Sequence, residues 1–505
     1  MACAVTSAAL VGIDAVPIEV EADIAQGLPN FVIVGLPDAT VQESKERIKT
    51  ALKNGGLPFP RTRLTVNLAP ADIKKEGPAY DLPIAVAILE SSGAVPGAPN
   101  TRRLFVGELG LDGTVRPVNG VLAVALMAAE RGFQEIFVPK GNAGEATLAS
   151  GIRVYGISTL PELIRHLSGA AAIAAEDPRP WPTRASSASD FDFATIAGQA
   201  NAKRALEIAA AGGHNVLLAG PPGSGKTILA RAMPTILPAM TREEVLEVTK
   251  IASIAGLSSE TGVIIDRPFR APHHTASGVA LIGGGAWPKP GEVSLAHRGV
   301  LFLDEFPEFS RGTLENLRQP LEDGWVTVSR ASGTVRFPAK FMLVAAQNPC
   351  PCGFATDPEQ VCSCTPAQTL RYGRKVSGPL LDRIDLHVDV PKLMIGELLD
   401  AAPAEPSAAI RVRVQAARDR QYARLRDLGI YTNAEMRHAL LKRLCPLPAE
   451  ADELLRAAAV RLKLSARAVM RVIKIARTIA DLDGAGAIAL PHVAEALHFR
   501  ERQAA

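Results

Sequence analysis

Apolar positions along residues 1–167 follow two rhythms, short continuous runs and spacings of three and four. The runs Asn30-Phe-Val-Ile-Val34, Arg63-Leu-Thr-Val-Asn67 and Glu135-Ile-Phe-Val138 predict strands. Residues 39–54, 82–91 and 121–131 carry the period of helices. From 168 to 190 the composition shifts to Ala, Pro and Ser without sustained periodicity, which reads as a linker. Alternating strand and helix patterns resume over 191–393. The stretch Leu399-Asp-Ala-Ala-Pro-Ala-Glu-Pro-Ser407 then breaks them, and 394–505 reads as helices, with Gly484-Ala-Gly486 and Pro491 punctuating the last two. The expected fold class is therefore α/β, with a helical C-terminal domain and no repeat of fixed period.

The chemistry concentrates in the middle block. Asn215-Val-Leu-Leu-Ala219 reads as a buried strand, and residues 227–233 continue as a helix. Between them Gly220, Pro221, Pro222, Gly223, Ser224, Gly225, Lys226 and Thr227 fit G-x-x-x-x-G-K-[ST], a loop whose backbone N–H groups cradle nucleotide phosphates. Lys226 would reach the β- and γ-phosphates, and Thr227 would ligate Mg²⁺. The alternative is a plain Gly/Pro-rich turn, which the flanking strand and helix argue against. Downstream, Gly299-Val-Leu-Phe-Leu-Asp-Glu305 fits a buried parallel strand that delivers two carboxylates at its C-terminal end. Asp304 would hold Mg²⁺ and Glu305 would polarise the attacking water. A third strand, Phe341-Met-Leu-Val-Ala-Ala346, leads to Gln347-Asn348. The Asn348 amide can bond the γ-phosphate or the lytic water; otherwise it is a turn former before Pro349. ATP and Mg²⁺ are the cofactors expected.

Bulk properties limit the partners. The 505 residues suffice for two to four domains, and a net charge of +3 does not argue for nucleic acid. Residues 411–477, however, carry sixteen Lys/Arg against six Asp/Glu, which suits a polyanion or a solvated helix face equally. Asp14, Glu19 and Glu21 interrupt the apolar N-terminus, so no signal peptide is expected. No uncharged apolar run reaches the about 18 residues of a membrane span. Six cysteines suggest a reducing cytoplasm rather than a disulfide scaffold. Four of them, Cys350, Cys352, Cys362 and Cys364, form two C-x-C pairs suited to structural tetrahedral Zn²⁺, although C-x₂-C is the commoner spacing. Free buried thiols or a redox pair are the alternatives.

In Ser377-Gly-Pro-Leu-Leu-Asp-Arg-Ile-Asp385 the order of parts resembles the AAA+ ATPases, specifically the magnesium-chelatase and MCM branch. The resemblance implies that Arg383 is an arginine finger entering a neighbouring subunit's site; an intramolecular ion pair with Asp382 or Asp385 is the alternative. It likewise makes Leu464-Ser-Ala-Arg-Ala-Val-Met-Arg471 the sensor-two helix of the lid, with Arg467 the best match and Arg471 second. Residues 251–285, which include Arg270-Ala-Pro-His-His-Thr-Ala-Ser277, resemble the helix-two insert of this branch. Trp325-Val-Thr-Val-Ser-Arg-Ala-Ser-Gly-Thr-Val-Arg-Phe337 alternates on both arms of a hairpin. In ring translocases such hairpins face the pore, which makes Arg330 and Arg336 candidate DNA contacts, with His273 and His274 as further candidates; ordinary solvation of the hairpin is the alternative.

Residues 1–167 resemble the proteolytic domain of Lon, an α+β domain, through Gly107-Glu-Leu-Gly-Leu-Asp-Gly-Thr-Val-Arg-Pro-Val-Asn-Gly120 and Glu76-Gly-Pro-Ala-Tyr-Asp-Leu-Pro83. Where Lon has its Ser and Lys, this chain has Ala79 and about Val124, so no protease activity is expected. Lon-like domain, chelatase-type AAA+ module, cysteine insert and basic lid together resemble the YifB/ComM family over nearly the whole chain. That resemblance implies a homo-hexameric helicase promoting branch migration during homologous recombination in natural transformation. It also implies single-stranded and branched DNA, and recombination proteins, as partners. The alternatives are a magnesium-chelatase-type ATPase subunit driving metal insertion into a porphyrin, and a non-enzymatic AAA+ scaffold.

Overall fold

The outward acids that break the N-terminal apolar run belong to a period-two strand. In Asp14–Ala25, Ile18, Val20 and Ala22 are fully buried while Glu19 and Asp23 face water. That strand pairs antiparallel with Cys3–Val11, and the sequence patterns above marked neither. The computed structural model describes residues 3–96, 102–178, 191–257, 262–285, 289–330, 333–394, 396 and 404–500, the side chain of Arg330 excepted. Contacts divide the chain into two units, Met1–Thr183 with Arg242–Ile265, and Arg184–Thr241 with Asp266–Ala505.

The first unit is built on a seven-stranded mixed sheet. Its order is Asn30–Val34, Arg63–Ala69, Asp14–Ala25, Cys3–Val11, Arg103–Phe105, Glu135–Pro139 and Arg153–Ile157. The helices Ala39–Asn54, Asp81–Ser91 and Val121–Glu130 lie where their spacing predicted. Asp81–Ser91 is buried at every position from Asp81 to Leu89, so it packs as an interior helix rather than a one-faced one. Helix Arg242–Ala255 also belongs to this unit, although it falls within the 191–393 block of the sequence. It buries Val245, Val248 and Ile251, Gly120 N donates to Ser253 O, and Lys250 pairs with Asp14 at 2.6 Å. Helical periodicity shows that such a face will be buried but not against which core. Part of the expected linker is anchored here too, since Glu176 N donates to Val154 O. Residues 179–190 of that linker lie outside the described residues.

The second unit holds a five-stranded parallel sheet in the order Phe269–Arg270, Val300–Leu303, Met342–Gln347, Val216–Ala219 and Leu386–Asp389. The apolar runs at Val300–Leu303 and Met342–Gln347 match what a buried parallel strand requires. Among the described residues after 404 the only regular elements are helices, and they do not form a separate core. Val216, Val344 and Leu386 of the sheet share one apolar cluster with Val414, Ile475, Ile479 and Val493. Ser465 caps the helix Ala466–Leu482, accepting from Ala468 N, and the helix buries Val472 and then every position from Ile475 to Asp481. Because Ile479 is fully buried in this seam, Ile479→Ala should cost about 2–5 kcal/mol, read as a lower urea midpoint with unchanged slope. No helix among the described residues is long and apolar enough to cross a membrane.

Candidate functional site

The strand order brings the predicted groups to one edge. Met342–Gln347 lies between the phosphate-loop strand and the carboxylate strand, with Ala219 opposite Gln347 and Leu303 opposite Ala345. Gly220, Asp304 and Asn348 therefore leave neighbouring strands at the same C-terminal end, where open α/β sheets bind ligands. Gly223 and Gly225 hold φ at +77° and +92°, a region that residues with a Cβ rarely enter. These two turns aim the loop into helix Lys226–Ala232.

Lys226 is buried, and its Nζ donates to Gly220 O and Pro221 O, both at 2.7 Å. Burial pushes its pKa down, and the Asp304 carboxylate opposes that shift. A buried ammonium held by its own loop's carbonyls can exchange them for phosphate oxygens without being newly desolvated. Thr227 Oγ1 donates to Asp304 Oδ2 at 2.8 Å, so the hydroxyl and the carboxylate expected to hold Mg²⁺ already touch. Asp304 Oδ1 accepts from Glu305 N at 2.9 Å. The donor set, one hydroxyl and one carboxylate beside a phosphate loop, fits a hard cation that keeps part of its water shell.

Glu305 adopts a left-handed backbone at φ +51°, unusual for a residue with a Cβ and the kind of strain that gathers at functional sites. Its carboxylate lies 3.0 Å from His274 Nδ1. His274 also lies against His273, ring centroids 4.1 Å apart and tilted by 34°, and meets Phe309 edge-on. The histidine pair, expected as a DNA contact, thus includes a residue engaged at the site's general-base candidate. Sequence spacing carries no signal for this contact. Asn348 is half-buried at the tip of its strand.

Arg383 is buried, with Nη1 donating to Pro379 O at 2.6 Å and Nη2 paired with Glu322. Its Nε has no partner among the described residues. The intramolecular partner is therefore Glu322, and neither Asp382 nor Asp385 takes that role. Asp385 instead meets Arg471 Nε at 2.9 Å and accepts from Asn215 N. Although burial opposes it, His214 and then Arg471 hold Asp385 well below the ordinary carboxylate range. Arg471 thus serves the junction between sheet and lid, whereas Arg467 is more open and lies 3.4 Å from Glu322. Glu322, absent from the sequence reading, joins both candidate arginines, and its pKa is lowered first by the Arg383 hydrogen bond. It sits on helix Arg318–Asp323, which leads through Gly324 into the hairpin Trp325–Arg330 and Gly333–Pro338. Arg336 is exposed opposite Thr327, its guanidinium 5.2 Å from the Trp325 ring centroid. The Arg330 side chain and the tip at 331–332 lie outside the described residues.

Among the described residues one His/Cys/Asp/Glu group has the closeness of a metal site, Cys350, Cys352, Cys362 and Cys364, with all four sulfurs within 4.8 Å. The Phe354 amide, together with that of Ser363, lowers the Cys352 thiol to about 5, which favours the thiolate. In the first unit, Ala79 and Val124 line the same cavity of about 410 Å³. Both residues are apolar, so this pair offers neither a nucleophile nor a base.

A phosphate loop, a carboxylate strand and a helical lid on a parallel sheet define a P-loop ATPase of the AAA+ class. The matching protein families are "Magnesium chelatase, subunit ChlI" over residues 192–398, "Subunit ChlI of Mg-chelatase" over 20–142, and its C-terminal domain over 404–500. YifB of Escherichia coli is 44% identical over 98% of this chain and 96% of its own length. Competence protein ComM of Haemophilus influenzae is 43% identical over 98% of this chain and 97% of its own. Magnesium-chelatase subunit ChlI of Trieres chinensis is 30% identical over only 32% of this chain and 52% of its own. The chain belongs to the YifB/ComM family, and that membership implies ATPase activity.

Proposed function

We propose that the chain is an ATP-driven DNA-remodelling motor, a homo-hexameric helicase that promotes branch migration during homologous recombination. The observation that carries this reading is the connection from hairpin to site. One helix bears Glu322, which binds Arg383 and Arg467, and runs directly into a strand hairpin with an exposed Arg336. Movement of that hairpin on DNA would shift the carboxylate that holds both arginines. Full-length similarity to a protein named for competence supports the same reading. The chelatase alternative is less favoured, since the Trieres chinensis subunit aligns with 32% of this chain at 30% identity, against 98% at 43% for ComM.

At the site, Lys226 and the loop amides would bind the nucleotide phosphates, Thr227 and Asp304 would hold Mg²⁺, and Glu305 would orient and deprotonate the attacking water. When bound, Mg²⁺ supplies neutralisation of phosphate charge. Asn348 would bond the γ-phosphate or that water, and Arg383, with Arg467 from the lid, would complete a site between subunits. The first unit would serve as scaffold or nucleic-acid surface without peptide hydrolysis, since Ala79 offers no nucleophile. We further assign structural Zn²⁺ to Cys350, Cys352, Cys362 and Cys364. Free thiols suit a reducing compartment such as the cytoplasm.

The test is ATP-dependent migration of a mobile four-way DNA junction by the purified chain, with ATP hydrolysis stimulated by forked or four-way DNA. Absence of DNA binding at low salt would end the motor reading, because phosphate contacts are strongest there. Arg336→Ala should reduce DNA-stimulated turnover more than DNA-free turnover and flatten the salt dependence of binding. Equal stimulation in variant and parent would remove Arg336 from the DNA surface.

A further inference from the structure

The cysteine loop contacts the nucleotide site. Cys350 lies two residues beyond Asn348, and Gly353 N donates to Cys350 O at 3.0 Å. Gly353 holds φ +88° with its backbone against the phosphate loop, where a Cβ would fall 2.6 Å from Pro222 Cγ and 2.8 Å from Cδ. Only glycine permits that approach. The far side of the same loop is tied down as well. Asp357 accepts from the Glu359 and Gln360 amides, and Lys392, just past the last sheet strand, pairs with Glu359 at 2.6 Å.

The sulfurs are spaced as metal ligands. Cys350 to Cys352 is 3.4 Å, Cys350 to Cys362 3.7 Å and Cys352 to Cys362 3.6 Å. A tetrahedron with Zn–S bonds of about 2.3 Å has edges of about 3.8 Å, whereas a disulfide would need about 2.05 Å. Four protein sulfurs leave no open position on the metal, so its role is mechanical.

We propose that Zn²⁺ bound by Cys350, Cys352, Cys362 and Cys364 braces the phosphate loop through the Gly353–Pro222 contact and anchors the strand end that carries Asn348, so that metal occupancy sets nucleotide affinity. This rests on the reading of residues 220–227 as the nucleotide site. Without the metal, the four sulfurs lose their common tether, the loop between Cys352 and Cys362 opens, and Pro222 loses its support. The metal thus acts on binding through shape, without touching substrate.

Three forms of the full chain test it: the parent, Cys362→Ser/Cys364→Ser, and Gly353→Ala. Each is measured for zinc by elemental analysis, for thiols reactive under native conditions, and for affinity toward a fluorescent ADP analogue. The parent should hold about one zinc per chain with its cluster thiols protected. The double variant should lose the metal and bind the analogue roughly tenfold more weakly. Gly353→Ala should keep the metal, because all four sulfurs remain, and lose a similar factor in affinity. Parent chain dialysed against a zinc chelator and returned to Mg²⁺ buffer should match the double variant, which covers any folding defect of the latter. A parent with no zinc and four reactive cluster thiols overturns the proposal, as does metal loss with unchanged affinity. A zinc-loaded parent that binds no nucleotide would instead overturn the nucleotide reading and leave the metal site standing.

Discussion

Lys226→Ala is expected to reduce ATP hydrolysis by at least about 10²–10³-fold, the scale for removing one preorganised donor from a charge-stabilising site, and to abolish junction migration. The geometry explains the size of the effect. Lys226 is the buried cation of the loop, already held 2.7 Å from two carbonyls by the fold, so nothing else can take its place when phosphate arrives. Steady-state phosphate release, with and without four-way DNA, measures the first effect, and gel separation of junction products the second. Turnover near the parent's level in Lys226→Ala would refute the assignment of the loop.

Arg383→Ala should cost about 10³–10⁵-fold in turnover, the range for a transition-state arginine. Its partners in the single chain are Glu322 and the Pro379 carbonyl, so the guanidinium is held in place and would have to exchange these partners to reach a neighbour's phosphate. Mixing Arg383→Ala with Lys226→Ala chains provides the decisive readout. A site shared between subunits combines the intact lysine of one chain with the intact arginine of its neighbour, and turnover should partly recover. No recovery, together with a lower melting temperature in Arg383→Ala, would make the residue a structural ion pair with Glu322. Arg383→Lys would separate charge from geometry, because a lysine cannot reproduce the planar fork.

The groups that sequence alone exposes are those in which chemistry demands adjacent residues. A phosphate loop needs glycines and a lysine at fixed spacing because the backbone itself is the ligand, so 220–227 was legible without a fold. Asp304 and Glu305 were legible because an apolar run ending in acids, weak by itself, follows a phosphate loop in the same block. The Cys350–Cys364 cluster was legible for the same reason, since two short pairs close one loop. Strands of period two with acids outward, as in Asp14–Ala25, stayed hidden because alternation is easily taken for an interrupted apolar segment.

The sequence by itself marked the residues proposed to bind phosphate, hold a divalent cation and polarise water, and many of the helices and strands around them. Tertiary structure alone decided what those residues meet. It placed Asn348 between the loop and the carboxylates by strand order, and His274 against Glu305 across a gap of thirty-one positions. It gave Arg383 and Arg467 one shared carboxylate, and set Gly353 against Pro222. The physical reason is that local spacing encodes backbone conformation and amphipathic faces, whereas pairing across long stretches of chain is fixed by packing. Many partners of equal polarity compete for each charged side chain, and only the closed core selects among them.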